Sequence, residues 1–66
     1  MYRHYKGKLY RVLFEAIHSE TREPMVVYVE LYEPGDINVR PKALWADEVD
    51  MPEYNYHGPR FTWVGE

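Results

Sequence analysis

Cysteine is absent from the 66-residue chain. Disulfide bracing and thiolate zinc sites, the usual reinforcements of so short a domain, are therefore excluded. A small domain without cysteine suits a reducing compartment, and the cytoplasm is the expected location. Long apolar runs are missing too. No stretch nears the roughly 18 uninterrupted apolar residues that span a bilayer, and MYRHYKGKLY at the N-terminus has no apolar signal-peptide core. No Gly-x-Ser-x-Gly elbow is present, which removes one common route to a nucleophilic serine. No His-x-x-x-His or Glu-x-x-His pair occurs either, and His4, His18 and His57 are too scattered to suggest a metal set. No metal and no cofactor is expected.

Acidic residues are lacking in one place, Met1–Arg11, where Arg3, Lys6, Lys8 and Arg11 stand unopposed. All eleven acids follow, so a net charge of −3 conceals a basic start and an acidic remainder. A basic stretch interleaved with Tyr2, Tyr5 and Tyr10 is the mixture that single-stranded nucleic acid uses for phosphate contact and stacking. The acidic total, with a pI near 5.5, weighs against that use.

What the chain does have is aromatic mass: seven Tyr, two Trp and two Phe. Rings bury much area for each residue fixed, which suits a single domain of this length, expected to span residues 1–66. Lys8–His18 alternates, with Tyr10, Val12, Phe14 and Ala16 forming a continuous apolar series at even positions. That period predicts a long strand with the even face buried. Pro24–Tyr32 predicts a second strand, uniformly apolar at Met25, Val27, Val29 and Leu31. Pro34 and Gly35 then suit the centre of a type II turn, and Ile37–Arg40 a third strand.

Pro41 suits the first turn of a helix, supported by Ala43, Leu44 and Ala46. Leu44, Trp45 and Val49 are its candidate core contacts. Asp50–Arg60 reads as an irregular surface connection, because it holds two prolines, a glycine and an asparagine. Arg60–Val64 closes the chain as a strand with Phe61 and Trp63 on one face. The expected fold is mainly β: a small, strongly bent antiparallel sheet or an SH3-like barrel, with one short helical turn.

His18, Ser19 and Glu20 carry the side-chain types of a charge-relay hydrolase. Neighbours on a strand point to opposite faces, however, and an exposed turn offers no oxyanion hole. A structural hairpin tip explains the segment better. Arg40 at a strand end, Trp45 one helical turn on, and Tyr28 or Tyr32 suggest an aromatic-walled pocket with a cationic base, suited to a carboxylate or peptide. The competing reading ties Arg40 to Trp45, Glu30 or Glu33 as structure.

The ordered pieces YRHYKGKLYRV, AIHSET, VVYVELY, VRP and PRF resemble DUF1653, a family of short bacterial proteins of unknown function, from Tyr2 to about Phe61. Asn38, and the pair Leu44 and Trp45, depart from the family pattern around VRP, so the helical turn is expected to pack differently. The resemblance implies a complete single-domain protein and transfers no activity, cofactor or partner. The functional expectation is therefore a non-enzymatic module binding a protein or peptide, with Tyr5, His18, Tyr32, Arg40 and Trp45 as candidate binding residues. Nucleic-acid binding through the N-terminal segment, and service as an accessory domain of an enzyme, are the alternatives.

Overall fold

A computed structural model describes residues 1–65. Over these the strands are β1 (Tyr2–His4), β2 (Leu9–Ile17), β3 (Pro24–Glu30), β4 (Ile37–Pro41), β5 (Glu48–Met51), β6 (Tyr56–Pro59) and β7 (Phe61–Trp63). One helical turn, α1 (Lys42–Trp45), follows β4, and a 3₁₀ turn (Pro52–Tyr54) joins β5 to β6. Five strands form one antiparallel sheet in the order β4-β3-β2-β1-β7, and β5 with β6 forms a separate hairpin. Among the described residues no helix is long and apolar enough to cross a membrane.

The mainly β, antiparallel expectation holds, but the sheet does not close into a barrel: β4 and β7 remain its edges. The concave side is filled instead by Trp45, whose ring packs against Phe61, Tyr28 and Tyr2. A helical turn thus completes the core that strand closure would otherwise have to build. The core is thin. Val26, Val27, Val49 and Phe61 are the buried apolar residues, and no described side chain is wholly enclosed.

The even-face reading of β2 fails midway. Val12 pairs with Tyr28 but Phe14 pairs with Val27, so one extra residue, Leu13, bulges out of the ladder. A bulge bends the strand and shifts which face each later side chain occupies. Tyr10 and Val12 therefore face the concave side with Tyr28, whereas Phe14 turns outward and is 59% exposed. Glu15 takes the inward position opposite Val26.

Other departures have local causes. In the β3–β4 connection Gly35 takes the positive φ, 75°, that the expected turn asks of it, and the Glu33–Pro34 bond is cis. Pro41 ends β4 and sits just before α1 rather than inside it. Leu44 is 49% exposed, because a helix of a single turn can press only one face, carrying Trp45, onto the sheet. Asp50–Arg60 is not irregular: Asn55 adopts the left-handed region (φ 50°), which turns the chain and lets β6 pair back on β5. Tyr2–His4, too short to show a period, becomes the strand between β2 and β7.

Candidate functional site

The concave face is organised around stacked rings. Trp45 lies parallel to Phe61 at 4.2 Å, and Tyr28 meets Trp45 edge-on at 4.9 Å. Tyr2 meets Trp45 at 5.4 Å, while His4 and Tyr10 approach Phe61 at 5.1 and 5.5 Å. Pairing places these rings together: Tyr2 opposes Tyr10 and Trp63, and His4 opposes Phe61. Offset and edge-to-face contacts of this kind add to the area they bury.

Beside this hub sits a charge cluster. Asp47 accepts from Arg60 Nε at 3.2 Å and Arg60 Nη2 at 3.4 Å, a two-pronged pair, and Arg40 Nη2 lies 3.8 Å away. Arg40 Nε donates to the Leu44 carbonyl at 3.2 Å, and its guanidinium lies over Phe61 at 5.8 Å. One carboxylate is thus shared by two guanidiniums, each about three-quarters covered. Burial holds the His4 imidazole below its ordinary value, and the nearby positive charges of Arg60, Lys6 and Arg40 add to the effect. Its Nδ1 accepts from the Lys6 amide at 3.2 Å.

At the far end of β3, the Tyr10 and Tyr32 hydroxyls share a 2.6 Å hydrogen bond, and Lys8 covers the Tyr32 ring at 4.8 Å. Burial, reinforced by that bond, drives the Tyr10 phenol well above its ordinary value. Burial likewise raises Tyr28, with the Arg40 charge opposing it. Glu30 secures the same end: its carboxylate accepts from the Asp36 amide and from Asn38 Nδ2, each at 3.1 Å.

The five expected binding residues therefore do not make one pocket. Arg40 and Trp45 come together against Phe61, but as packing and ion-pair elements, and Arg40 engages Asp47 rather than Glu30 or Glu33. Tyr32 stands at one end of β3. His18 stands at the other, where its amide donates to the Glu23 carbonyl. The length of β3 separates them by roughly 20 Å. His18 Nδ1 accepts from the Glu20 and Thr21 amides, both at 3.2 Å, which commits the ring to the hairpin tip. Among the described residues no three His, Asp or Glu side chains converge as a metal site.

Tyr5 joins a cluster that sequence reading placed in a featureless connection. It lies nearly parallel to Tyr56 at 5.8 Å and edge-on to Tyr54 at 5.6 Å, with Lys6 about 6 Å from Tyr5 and Tyr54. A cleft of about 210 Å³ beside it is lined by Arg3, His4, Tyr5, Tyr56, Thr62 and Val64. A second cleft of about 260 Å³ has Tyr2, Val12, Val26 and Trp45 in its walls, and the 3.0 Å Lys42–Glu15 ion pair beside them. Asp47 and Arg60 were not legible as partners, since thirteen residues separate them and no spacing rule links them.

The convex face differs in kind. Phe14, Val27 and Val39 form one cross-strand row, with Val29 and Ile37 paired next to it. Val27 is buried at 6% exposure beneath neighbours that face water: Phe14 at 59%, Val39 at 61% and Ile37 at 65%.

Comparison with known proteins places this geometry. A family model described as "Protein of unknown function (DUF1653)" matches residues 1–63. A crystal structure of a DUF1653 protein from Bordetella bronchiseptica superposes with a TM-score of 0.86 at 39% identity, covering 97% of this chain and 82% of that one. No curated protein matches.

Proposed function

The chain belongs to the DUF1653 family of proteins of unknown function, and from that premise we propose that it is a non-enzymatic cytoplasmic module that binds a protein or peptide partner. The observation that carries this reading is the convex apolar face. Three large side chains, Phe14, Ile37 and Val39, are each more than half exposed around a buried valine. Contiguous apolar surface of this kind marks interaction sites on soluble domains. The residues with chemical potential support the same reading by being occupied: Asp47 holds two arginines, and His18 holds its own turn.

Panning a random peptide library on the immobilised protein tests the proposal. Enriched peptides carry apolar residues and lose binding to Phe14→Lys, while the variant keeps its melting temperature. Peptides that bind Phe14→Lys as well as the parent chain overturn it.

A second reading, single-stranded nucleic acid, is favoured by the Tyr5, Tyr54 and Tyr56 cluster with Lys6 beside it. It requires oligonucleotide binding that weakens with salt and with Tyr54→Ala.

A further inference from the structure

Strand β4 is an edge of the sheet, and its two outermost apolar side chains are the most exposed aliphatic residues described: Ile37 at 65% and Val39 at 61%. Natural sheets usually protect such an edge with charge, proline or a covering element. The register shows which main-chain groups lie open. The Glu30 amide donates to the Asp36 carbonyl at 3.0 Å, so the alternate pairs Tyr28–Asn38 and Val26–Arg40 are the hydrogen-bonded ones. The amide and carbonyl of Ile37 and of Val39 consequently point away from β3, and Pro41 closes the run.

We propose that this edge pairs with the same edge of a second copy, antiparallel, about a two-fold axis through Asn38. Ile37 then lies opposite the second copy's Val39, and Val39 opposite its Ile37. Each of these pairs exchanges both main-chain hydrogen bonds, using the groups that β3 leaves open. On the concave side, Asp36 lies opposite the second copy's Arg40, and Arg40 opposite its Asp36, giving two oppositely charged pairs across the axis. Charge selects this register. An axis through Ile37 sets Asp36 against Asn38, and one through Val39 sets Arg40 against Asn38 and carries Asp36 past the strand to Lys42 in α1, so neither opposes the two charges within the ladder. Asp36 is exposed, and Arg40, whose Nε donates to Leu44 and whose Nη2 lies 3.8 Å from Asp47, presents the remaining quarter of its side chain to solvent. On the convex side the apolar rows of the two copies become continuous. The inference is separate from the binding role proposed above: a monomer leaves the convex face intact, and a dimer forms whether or not peptides bind there.

The absence of cysteine gives a clean test. In this register the two Asn38 residues face each other as a non-hydrogen-bonded pair, at a separation that a disulfide spans. Mild oxidation of Asn38→Cys is expected to yield a covalent dimer quickly, while Thr62→Cys, on the other edge strand, stays monomeric. Sedimentation equilibrium of the unmodified chain is expected to show a monomer–dimer equilibrium. Asp36→Lys, which opposes like charges, weakens that equilibrium about tenfold. Val39→Pro removes only an outward amide and abolishes dimerisation; if it does not fold, the Asp36→Lys measurement decides in its place. A monomer up to millimolar concentration, an open-ended series of oligomers, or equal crosslinking at positions 38 and 62 overturns the proposal.

Discussion

Trp45 and Phe61 lie face to face, 4.2 Å apart and 5° from parallel, although they stand sixteen positions apart in the chain with two strands, β5 and β6, between them. The contact joins the helical turn to the last strand, and Tyr2 and Tyr28 pack on the same indole. Trp45→Ala is expected to cost about 3 kcal/mol, a large share of what a small domain has. Urea denaturation measures it. Trp45→Phe keeps one ring in place and is expected to cost distinctly less. A loss below about 1 kcal/mol for Trp45→Ala would show that the stack is not central.

Asp47 holds Arg60 with two hydrogen bonds and has Arg40 at its edge. Asp47→Asn leaves two guanidiniums near one another without a counter-charge, and is expected to cost about 1–3 kcal/mol. A double-mutant cycle with Arg60→Ala isolates the pair. Its coupling should be of that order and should shrink little with salt, since all three side chains are largely covered.

His4 binds its proton less readily folded than unfolded, because burial and then Arg60, Lys6 and Arg40 disfavour the charged ring. Between the lowered folded value and the ordinary 6.5, the unfolded chain therefore holds more protons. Its contribution to stability is complete above pH 6.5 and is lost as pH falls through the folded value. Denaturation across this range is expected to show His4→Phe with a shallower acid loss than the parent chain. Equal slopes would remove His4 as the cause.

Tyr10 behaves oppositely. Burial and its bond to the Tyr32 hydroxyl keep the phenol protonated in the folded chain above its ordinary value of 10.0. Its stabilising contribution is present below pH 10 and declines as pH rises beyond it. Tyrosinate absorbance should include a second stage from Tyr10 and Tyr28 that coincides with unfolding. Tyr10→Phe is expected to lose about 1 kcal/mol at neutral pH and to soften the second stage.

The sequence revealed the elements whose pattern is local. β2 and β3 follow from alternation, β4 from the turn that precedes it, and the single turn of α1 from Pro41, Ala43, Leu44 and Ala46. β1 and the β5–β6 hairpin escaped because three- and four-residue strands are too short for a period to register, and because Asn55 turns the chain where Pro52 and Gly58 suggested disorder of pattern. Arg40 and Trp45 were recognised as noteworthy residues. Their setting was not legible, since Asp47, Arg60 and Phe61 reach them only through tertiary packing. The hairpin tip around His18 was legible from its polar run, but the ring's acceptance of the Glu20 and Thr21 amides was not, since it depends on the turn's exact backbone path.

Leu13 has a reach beyond its own position. Because it stands outside the ladder, the strand changes phase there, and a single chain segment supplies aromatic residues to both sides of the sheet. Tyr10 and Val12 serve the interior; Phe14, only two residues on, serves the exterior. Pairing the strand without the bulge, every residue kept, would set Leu13 opposite Val27 and Phe14 opposite Val26, drawing Phe14 inside and carrying Glu15 out, whereas deleting Leu13 would leave Phe14 opposite Val27 and still outside.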